Sequence, residues 1–199
     1  MTLMEDKKLR LWSLYQGYKV HPESLYCVSW DDACYLFGLV AERKPKRVME
    51  LGTGLGCSTA ALALAMPDDY TAWDSIETVE SDRRFYEEAV GLMPHDLRRK
   101  VLFILTKTVV REVMGVPLRC YEYTPTVALP SFNLNEKYDL LFVDGPPVAL
   151  SKPPPDNGVC MTGDLFALLP YLSKDAAVVV DGRSSTVEMY ERHLGHIFR

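Results

Sequence analysis

The sequence predicts an α/β protein with a doubly wound, mostly parallel sheet and helices on both faces of that sheet. From residue 47 onward, short apolar runs alternate with segments of helical periodicity, which is typical of a parallel sheet covered on both faces. The first apolar run leads into glycines at every second position, 52, 54 and 56. Several later runs end in an acidic residue, as expected where strand tips face a ligand crevice.

Composition and length indicate a single domain over residues 1–199. The chain has 199 residues, of which 48% are hydrophobic and 25% are charged, as in an ordinary globular protein. We expect N-terminal helices within 1–44 and a Rossmann-like core over 45–199. The formal net charge of −5 gives no attraction to a phosphate backbone, so no nucleic-acid partner is expected.

The sequence also predicts a cytoplasmic protein without membrane association. No stretch approaches the ~20 apolar residues that a membrane span requires, and no apolar segment of signal-peptide type follows the first residues. The five cysteines are scattered and form no C-x-x-C pair. This pattern indicates reduced thiols rather than a zinc site or a disulfide framework.

Two helices are predicted before the core. Residues 5–18 have a loosely amphipathic pattern, which predicts the first helix. Ser29 and Asp31 are polar caps that open the second helix, which extends to residue 40. Pro45 ends this helix just before the first strand.

The core elements then follow in regular order. Strands are predicted at 47–51, 75–80, 101–110, 138–144 and 176–181. Helices are predicted at 57–66, 82–92, 163–172 and 185–194. The basic run 98–100 follows a helix and is interpreted as a solvated helix end.

Two segments and the C-terminus depart from this order. Residues 111–124 predict a β-hairpin insertion after strand three, with its turn at Gly115-Val116-Pro117. The proline-rich loop 145–163 cannot form regular structure and is expected to form a wall or lid of the ligand site. We also expect a shortened C-terminus, with the exposed sheet edge covered by the N-terminal helix or by a second copy in a homodimer.

The strand, turn and helix at residues 47–60 are the most informative segment for function. Glycines let the backbone turn sharply and let a ligand lie against bare main chain. The helix that follows presents free N–H groups and a positive dipole end to a polar ligand. A dinucleotide fingerprint needs a glycine at position 57, where this chain has Cys57. The pattern is instead acidic-x-G-x-G-x-G, beginning at Glu50.

This pattern resembles motif I of the class I S-adenosylmethionine (SAM)-dependent methyltransferases. The resemblance implies SAM as the cofactor, with the glycine turn holding its methionine part and Glu50 orienting its amino group. The alternative is a glycine-rich turn with a structural role alone. The resemblance implies the following cofactor-binding residues: Glu50, Gly52, Thr53, Gly54, Gly56, Ser58, Glu80 and Asp144.

Glu80 stands at the carboxyl tip of the second strand. Its distance along the chain from Gly56 is close to the spacing of ~20 residues that is expected for a carboxylate that accepts both ribose hydroxyls of an adenosine. Strand parity places Glu77 away from that tip. The sequence therefore favours Glu80 as the ribose-binding residue, with a surface glutamate as the alternative.

The fourth strand ends in Val143-Asp144-Gly145-Pro146-Pro147, which is similar to a branch of these methyltransferases acting on small molecules. It differs from the D-P-P-Y motif of amino-directed nucleic-acid methyltransferases. Asp144 is the candidate catalytic residue, as a general base or as a group that orients a substrate hydroxyl. A capping role for this aspartate is the alternative.

Asp181 ends the fifth strand and would lie beside Asp144. Catechol-type methyltransferases hold Mg²⁺ with acids at matching positions. Gly182 stands where that family has a further ligand, so a metal held by Asp144 and Asp181 is an alternative that the sequence does not favour. Arg183 is expected to form an ion pair with Asp181 or to hold an acidic substrate.

Together these residues imply methyl transfer from SAM to an oxygen of a small molecule, such as a sugar or a secondary metabolite. The alternative is a non-catalytic relative that works as a binding or assembly protein. A nicotinamide-dependent dehydrogenase is disfavoured by Cys57. The tyrosines of the hairpin region are expected to pack on the core, and one of them is a candidate for lining the acceptor pocket: Tyr121, Tyr123 and Tyr138.

Overall fold

The computed structural model of the protein describes residues 3–70, 76–123, 125, 137–146 and 161–195. The helices are α1 (Leu3–Lys19), α2 (Trp30–Arg43), α3 (Cys57–Ala65), α4 (Arg83–Leu92), α5 (His95–Arg98), α6 (Asp164–Leu168) and α7 (Ser184–Leu194). The strands are β1 (Val48–Leu51), β2 (Ile76–Glu80), β3 (Val101–Leu105), β4 (Thr108–Val113), β5 (Val116–Tyr121), β6 (Tyr138–Val143) and β7 (Leu172–Val180).

Five strands form one parallel sheet in the order β3-β2-β1-β6-β7. This arrangement confirms the predicted doubly wound α/β fold. The strand order changes direction at β1, which lies between β2 and β6. In open α/β sheets, ligands bind beyond the carboxyl ends of the strands at such a switch point.

The N-terminal helices and α3 cover one face of the sheet. Residues Cys57 to Leu64 of α3 are all buried, because α3 lies between the sheet and helices α1 and α2. Ser29 caps α2 as predicted, and its partner in a reciprocal capping box is Asp32 rather than Asp31. The α1 and α2 helices thus contribute to the main core.

The hairpin β4–β5, with α6 and α7, covers the opposite face. The predicted hairpin is confirmed, but its turn lies at Met114 and Gly115, which both have positive φ. Val116 and Pro117 are already paired with β4, so the two-residue turn closes earlier than predicted. The predicted strand 101–110 is also divided, because the chain leaves the main sheet after Leu105 and enters the hairpin at Thr108.

The prediction of a solvated basic run at 98–100 is wrong for Lys100. This side chain is buried, and its Nζ donates to the carbonyls of Ala63 and Met66 at 3.2 and 3.1 Å. Asp68 pairs with the same nitrogen at 2.9 Å. Lys100 therefore caps the C-terminus of α3, where free carbonyls and the negative end of the helix dipole favour a cation.

Two predictions concern residues that the structure describes only in part. Of the proline-rich segment, residues 147–160 lie outside the described residues, so its role as a wall or lid stays a prediction. Residues 196–199 lie outside them as well, so the shortened C-terminus also stays a prediction. Within the described ranges, no helix has both the length and the apolar character to cross a membrane.

Candidate functional site

The glycine turn connects β1 to α3 at the switch point of the sheet. Gly52, Gly54 and Gly56 have φ values of 98°, 52° and 85°, a region that favours glycine. At Gly52 a Cβ would also lie 2.7 Å from the main-chain nitrogen of Gly145. The loops that follow β1 and β6 therefore meet here, which brings the motif around Asp144 against the glycine turn.

Glu50 lies beneath the turn and is completely buried. Its Oε2 accepts hydrogen bonds from the Thr59 and Thr78 hydroxyls at 2.5 and 2.7 Å. Its Oε1 has no hydrogen-bond partner within the described part of the chain. Burial raises the pKa of Glu50 to about 7, and the hydroxyls of Ser58, Thr59 and Thr78 oppose this shift.

Two of the predicted cofactor residues lie behind the turn. The Thr53 hydroxyl is 2.7 Å from the Thr78 hydroxyl, and Thr53 is buried. Ser58 is also buried beside Glu50. In this structure their side chains support the Glu50 network, so any contact of either residue with a cofactor stays a prediction.

Glu80 connects the tip of β2 to the glycine turn. Its Oε2 accepts a hydrogen bond from the Gly54 N–H at 2.9 Å. Its Oε1 accepts from the N–H groups of Ser81 and Asp82 at 2.7 and 2.9 Å. These three donors fix the carboxylate at the carboxyl edge of the sheet, next to the glycine turn. The sequence predicts that Glu80 and this turn bind the same cofactor.

Asp144 follows β6 on the other side of β1. Burial raises its pKa to about 7, and the negative charge of Asp181 adds to the shift, whereas Arg183 opposes it. Burial likewise raises the pKa of Asp181. A carboxyl group with a pKa near 7 can hold or release a proton at neutral pH.

Arg183 has a role that the sequence prediction missed. Its guanidinium lies 3.6 Å from the Asp144 carboxylate, so its ion pair is with Asp144 rather than Asp181. It also donates to the main-chain carbonyls of Asp144 and Pro146. The residue after the Asp181-Gly182 turn thus ties the tip of β7 to the loop that follows β6. Its position two residues after an acidic strand tip was the available signal.

Tyr121 belongs to the same edge of the sheet. Its hydroxyl is buried without a hydrogen-bond partner among the described residues, and a Cβ on Gly145 would lie 2.1 Å from it. This contact requires glycine at position 145 and places the end of β5 beneath the loop that follows β6. By contrast, Tyr138 donates to Glu77 at 2.6 Å and Tyr123 reaches the Met49 sulfur at 3.1 Å, so both pack in the core as predicted.

Asp144 and Asp181 are the pair of acids that the sequence offers as an alternative metal site. Among the described residues, no group of three or more His, Cys, Asp or Glu side chains is placed to hold a metal ion. Asp144 and Asp181 form only a pair, and the Arg183 guanidinium lies beside Asp144. A divalent ion there would have to displace that cation.

Comparison with known proteins gives a family match and a set of structural relatives. Residues 49–182 match the family model described as a methyltransferase domain, a span that runs from the first strand through Asp181. No protein in a search of curated sequences matched this chain.

Three solved structures illustrate the shared fold. The O-methyltransferase TomG from Streptomyces achromogenes, involved in tomaymycin synthesis and solved with SAM, is 22% identical, with a TM-score of 0.57 over 94% of this chain and 76% of that one. A Podospora anserina methyltransferase bound to S-adenosylhomocysteine (SAH) is 17% identical, with a TM-score of 0.55 and coverages of 92% and 64%. A putative O-methyltransferase from Klebsiella pneumoniae is 18% identical, with a TM-score of 0.54 and coverages of 94% and 76%.

Proposed function

Because this chain belongs to the methyltransferase domain family, we propose that it transfers the methyl group of SAM to an oxygen atom of a small molecule. The observation that carries this proposal is the meeting of three strand tips, those of β1, β2 and β6, at one edge of the sheet. The glycine turn after β1 is hydrogen-bonded to Glu80 on one side and touches the loop of Asp144 on the other.

We assign the cofactor to the crevice above this turn. Glu80 would accept the ribose hydroxyls, and the Oε1 of Glu50 offers a buried acceptor to the amino group, directly or through water. Main-chain atoms of Gly52, Gly54 and Gly56 would line the rest of the site. The SAM-bound and SAH-bound relatives with this fold support the choice of cofactor.

Asp144 is the proposed general base. When bound, SAM supplies an electrophilic methyl group on its sulfonium. The pKa of about 7 at Asp144 suits the removal of a proton from an acceptor hydroxyl near neutral pH. Arg183 holds the main chain of Asp144 in place, and alignment of acceptor and methyl group provides most of the rate enhancement. No step in this scheme needs a metal.

The experiment has two stages. Isothermal titration with SAM, SAH and NAD tests the cofactor, and we expect binding of SAM and SAH but not of NAD. Methyl-labelled SAM with panels of phenolic, sugar and catechol acceptors then tests transfer. We expect Asp144→Asn to lose activity and the exposed control Asp175→Asn to keep it. Cofactor binding without transfer to any acceptor would favour the alternative of a non-catalytic binding or assembly protein.

We also propose that a second copy of the chain covers the edge of the sheet at β7. A groove of about 640 Å³ runs along this strand between α2 and α7, and Ala176 to Val180 are only half buried. An open edge of apolar residues favours pairing with another chain. Light scattering should show a dimer for the wild type and a monomer for Val178→Lys, and a monomeric wild type would contradict the proposal.

A further inference from the structure

A cavity of about 990 Å³ opens at the amino edge of the main sheet. Its walls come from the end of α2, the connection to β1, the segment before β2 and the first residues of β6 and β7. Because the strands are parallel, this edge lies at the opposite end of the sheet from the glycine turn. The volume falls within the ~300–1,000 Å³ that is usual for small-molecule sites.

Cationic side chains dominate the walls of this cavity. Six of them line it, against three aspartates. The cations are Arg43, Lys44, Lys46, Arg47, Lys137 and Lys174. This concentration contrasts with the whole chain, whose formal net charge is −5. A concave wall of one sign focuses the electric field and raises the local concentration of anions.

Arg47 provides a fixed and buried part of the wall. The residue is 5% exposed. Its guanidinium lies 3.8 Å from the Glu77 carboxylate and 5.5 Å from the centre of the Tyr138 ring. These contacts hold the side chain in one place, so this part of the cavity is formed before a ligand binds. Glu77 offsets the charge of Arg47, and the excess positive charge therefore comes from the other five cations.

Those five cations are all exposed. Within the described ranges, none of them lies within ion-pair distance of an acidic side chain. Two of the aspartates in the walls instead take part in contacts with main-chain groups. Asp139 accepts a hydrogen bond from the Lys46 main-chain N–H at 2.8 Å, and the main-chain carbonyl of Asp175 accepts from Arg43 at 3.4 Å. These bonds connect the walls of the cavity without neutralising its lysines.

The dipole of α2 explains only part of this pattern. Arg43 and Lys44 stand at the C-terminus of α2, where cations are favoured without any ligand. Lys46 lies in the connection to β1, Lys137 directly precedes β6, and Lys174 is near the start of β7. Like charges that converge from these separate elements repel one another, and a bound anion removes that repulsion.

We propose that this cavity binds a small polyphosphate, either free or as part of a nucleotide. Lysines are point charges that suit phosphate oxygens. A chain of phosphates carries enough negative charge to contact cations at the end of α2 and at the starts of β6 and β7 together. The proposal is independent of methyl transfer, because none of the wall residues belongs to the proposed cofactor site.

The test measures binding to the full chain by isothermal titration at physiological ionic strength. The probes are tripolyphosphate and GTP, both without a divalent ion. Lys46→Gln/Lys137→Gln removes two cations of the cavity, and we expect it to bind tripolyphosphate at least about ten-fold more weakly than the wild type. Lys8→Gln/Lys107→Gln is the matched control, because it removes the same charge at exposed positions outside the cavity. This control should bind like the wild type.

Amine labelling of the wild type gives a second measurement that needs no variant. Tripolyphosphate should protect Lys46 and Lys137 from acetylation and leave Lys8 unprotected. Binding that is lost in the cavity variant supports the proposal; tighter binding of GTP then indicates a nucleotide, and equal binding indicates the phosphate chain alone. No binding to the wild type, equal affinity in the cavity variant, equal weakening in the control or unchanged labelling would overturn the proposal.

Discussion

Glu80 offers the sharpest test of the cofactor assignment, because its carboxylate has a structural and a binding role. Its three backbone donors lie at 2.7 to 2.9 Å. Hydrogen bonds to a charged group each contribute about 1.5–3 kcal/mol when water cannot replace them. Here Gly54, Ser81 and Asp82 are partly or fully exposed, so we expect about 1 kcal/mol for each bond.

Glu80→Ala should therefore lower the free energy of unfolding by about 3 kcal/mol. The same change removes the acceptor for the ribose hydroxyls, which should weaken SAH binding by about 1.5–3 kcal/mol, or roughly 10- to 150-fold. Glu80→Gln keeps the shape and one acceptor oxygen. It should retain more stability than Glu80→Ala but still lose the charge-assisted part of the affinity.

Urea unfolding and isothermal titration with SAH measure the two effects separately. Glu87→Gln is the matched control, because Glu87 is an exposed residue on α4 whose pair with Arg83 lies at the surface; it should change neither quantity by more than about 0.5 kcal/mol. SAH affinity that is unchanged in both Glu80 variants would refute the ribose assignment. Unchanged stability in Glu80→Ala would refute the role of its backbone hydrogen bonds.

Three further predictions follow from the same site. Gly52→Ala should destabilise the protein by at least about 2 kcal/mol, because the new Cβ would lie 2.7 Å from the main chain of Gly145. The control Gly91→Ala on α4 has open space around it and should be neutral or stabilising. Thermal melts measure both changes. Burial raises the pKa of Glu50 from 4.5 to about 7, so the native state binds the proton more tightly than the unfolded state does. The free energy of unfolding should therefore fall as the pH rises from about 5 to about 7. Urea titrations should show a smaller fall for Glu50→Gln, and an equal fall in the variant and the wild type would contradict this account. Methyl transfer should persist in EDTA, and activity that is lost with the chelator and restored by Mg²⁺ would instead support a metal at Asp144 and Asp181.

Local patterns in the sequence were sufficient for the fold, and they predict a ligand site at the carboxyl edge of the sheet. Alternating apolar strands and helices predict a parallel sheet because each element needs its own periodicity to bury a face. The glycine turn and the acidic strand tips then indicate the ligand edge, because chain connectivity alone fixes which ends of parallel strands lie together. The hairpin at β4–β5 was also predicted, although its turn was misplaced.

Only the tertiary structure decided which side chains meet. Lys100 has the sequence context of a solvated helix end, yet it is buried because the C-terminus of α3 lies above it. Arg183 pairs with Asp144 rather than with its near neighbour Asp181, and Tyr138 donates a hydrogen bond to Glu77. Each of these contacts joins residues distant in the chain. A sequence pattern predicts which face of a helix or strand is buried and where that element ends. The packing of distant elements decides which charged groups lie near a given side chain, and at what distance.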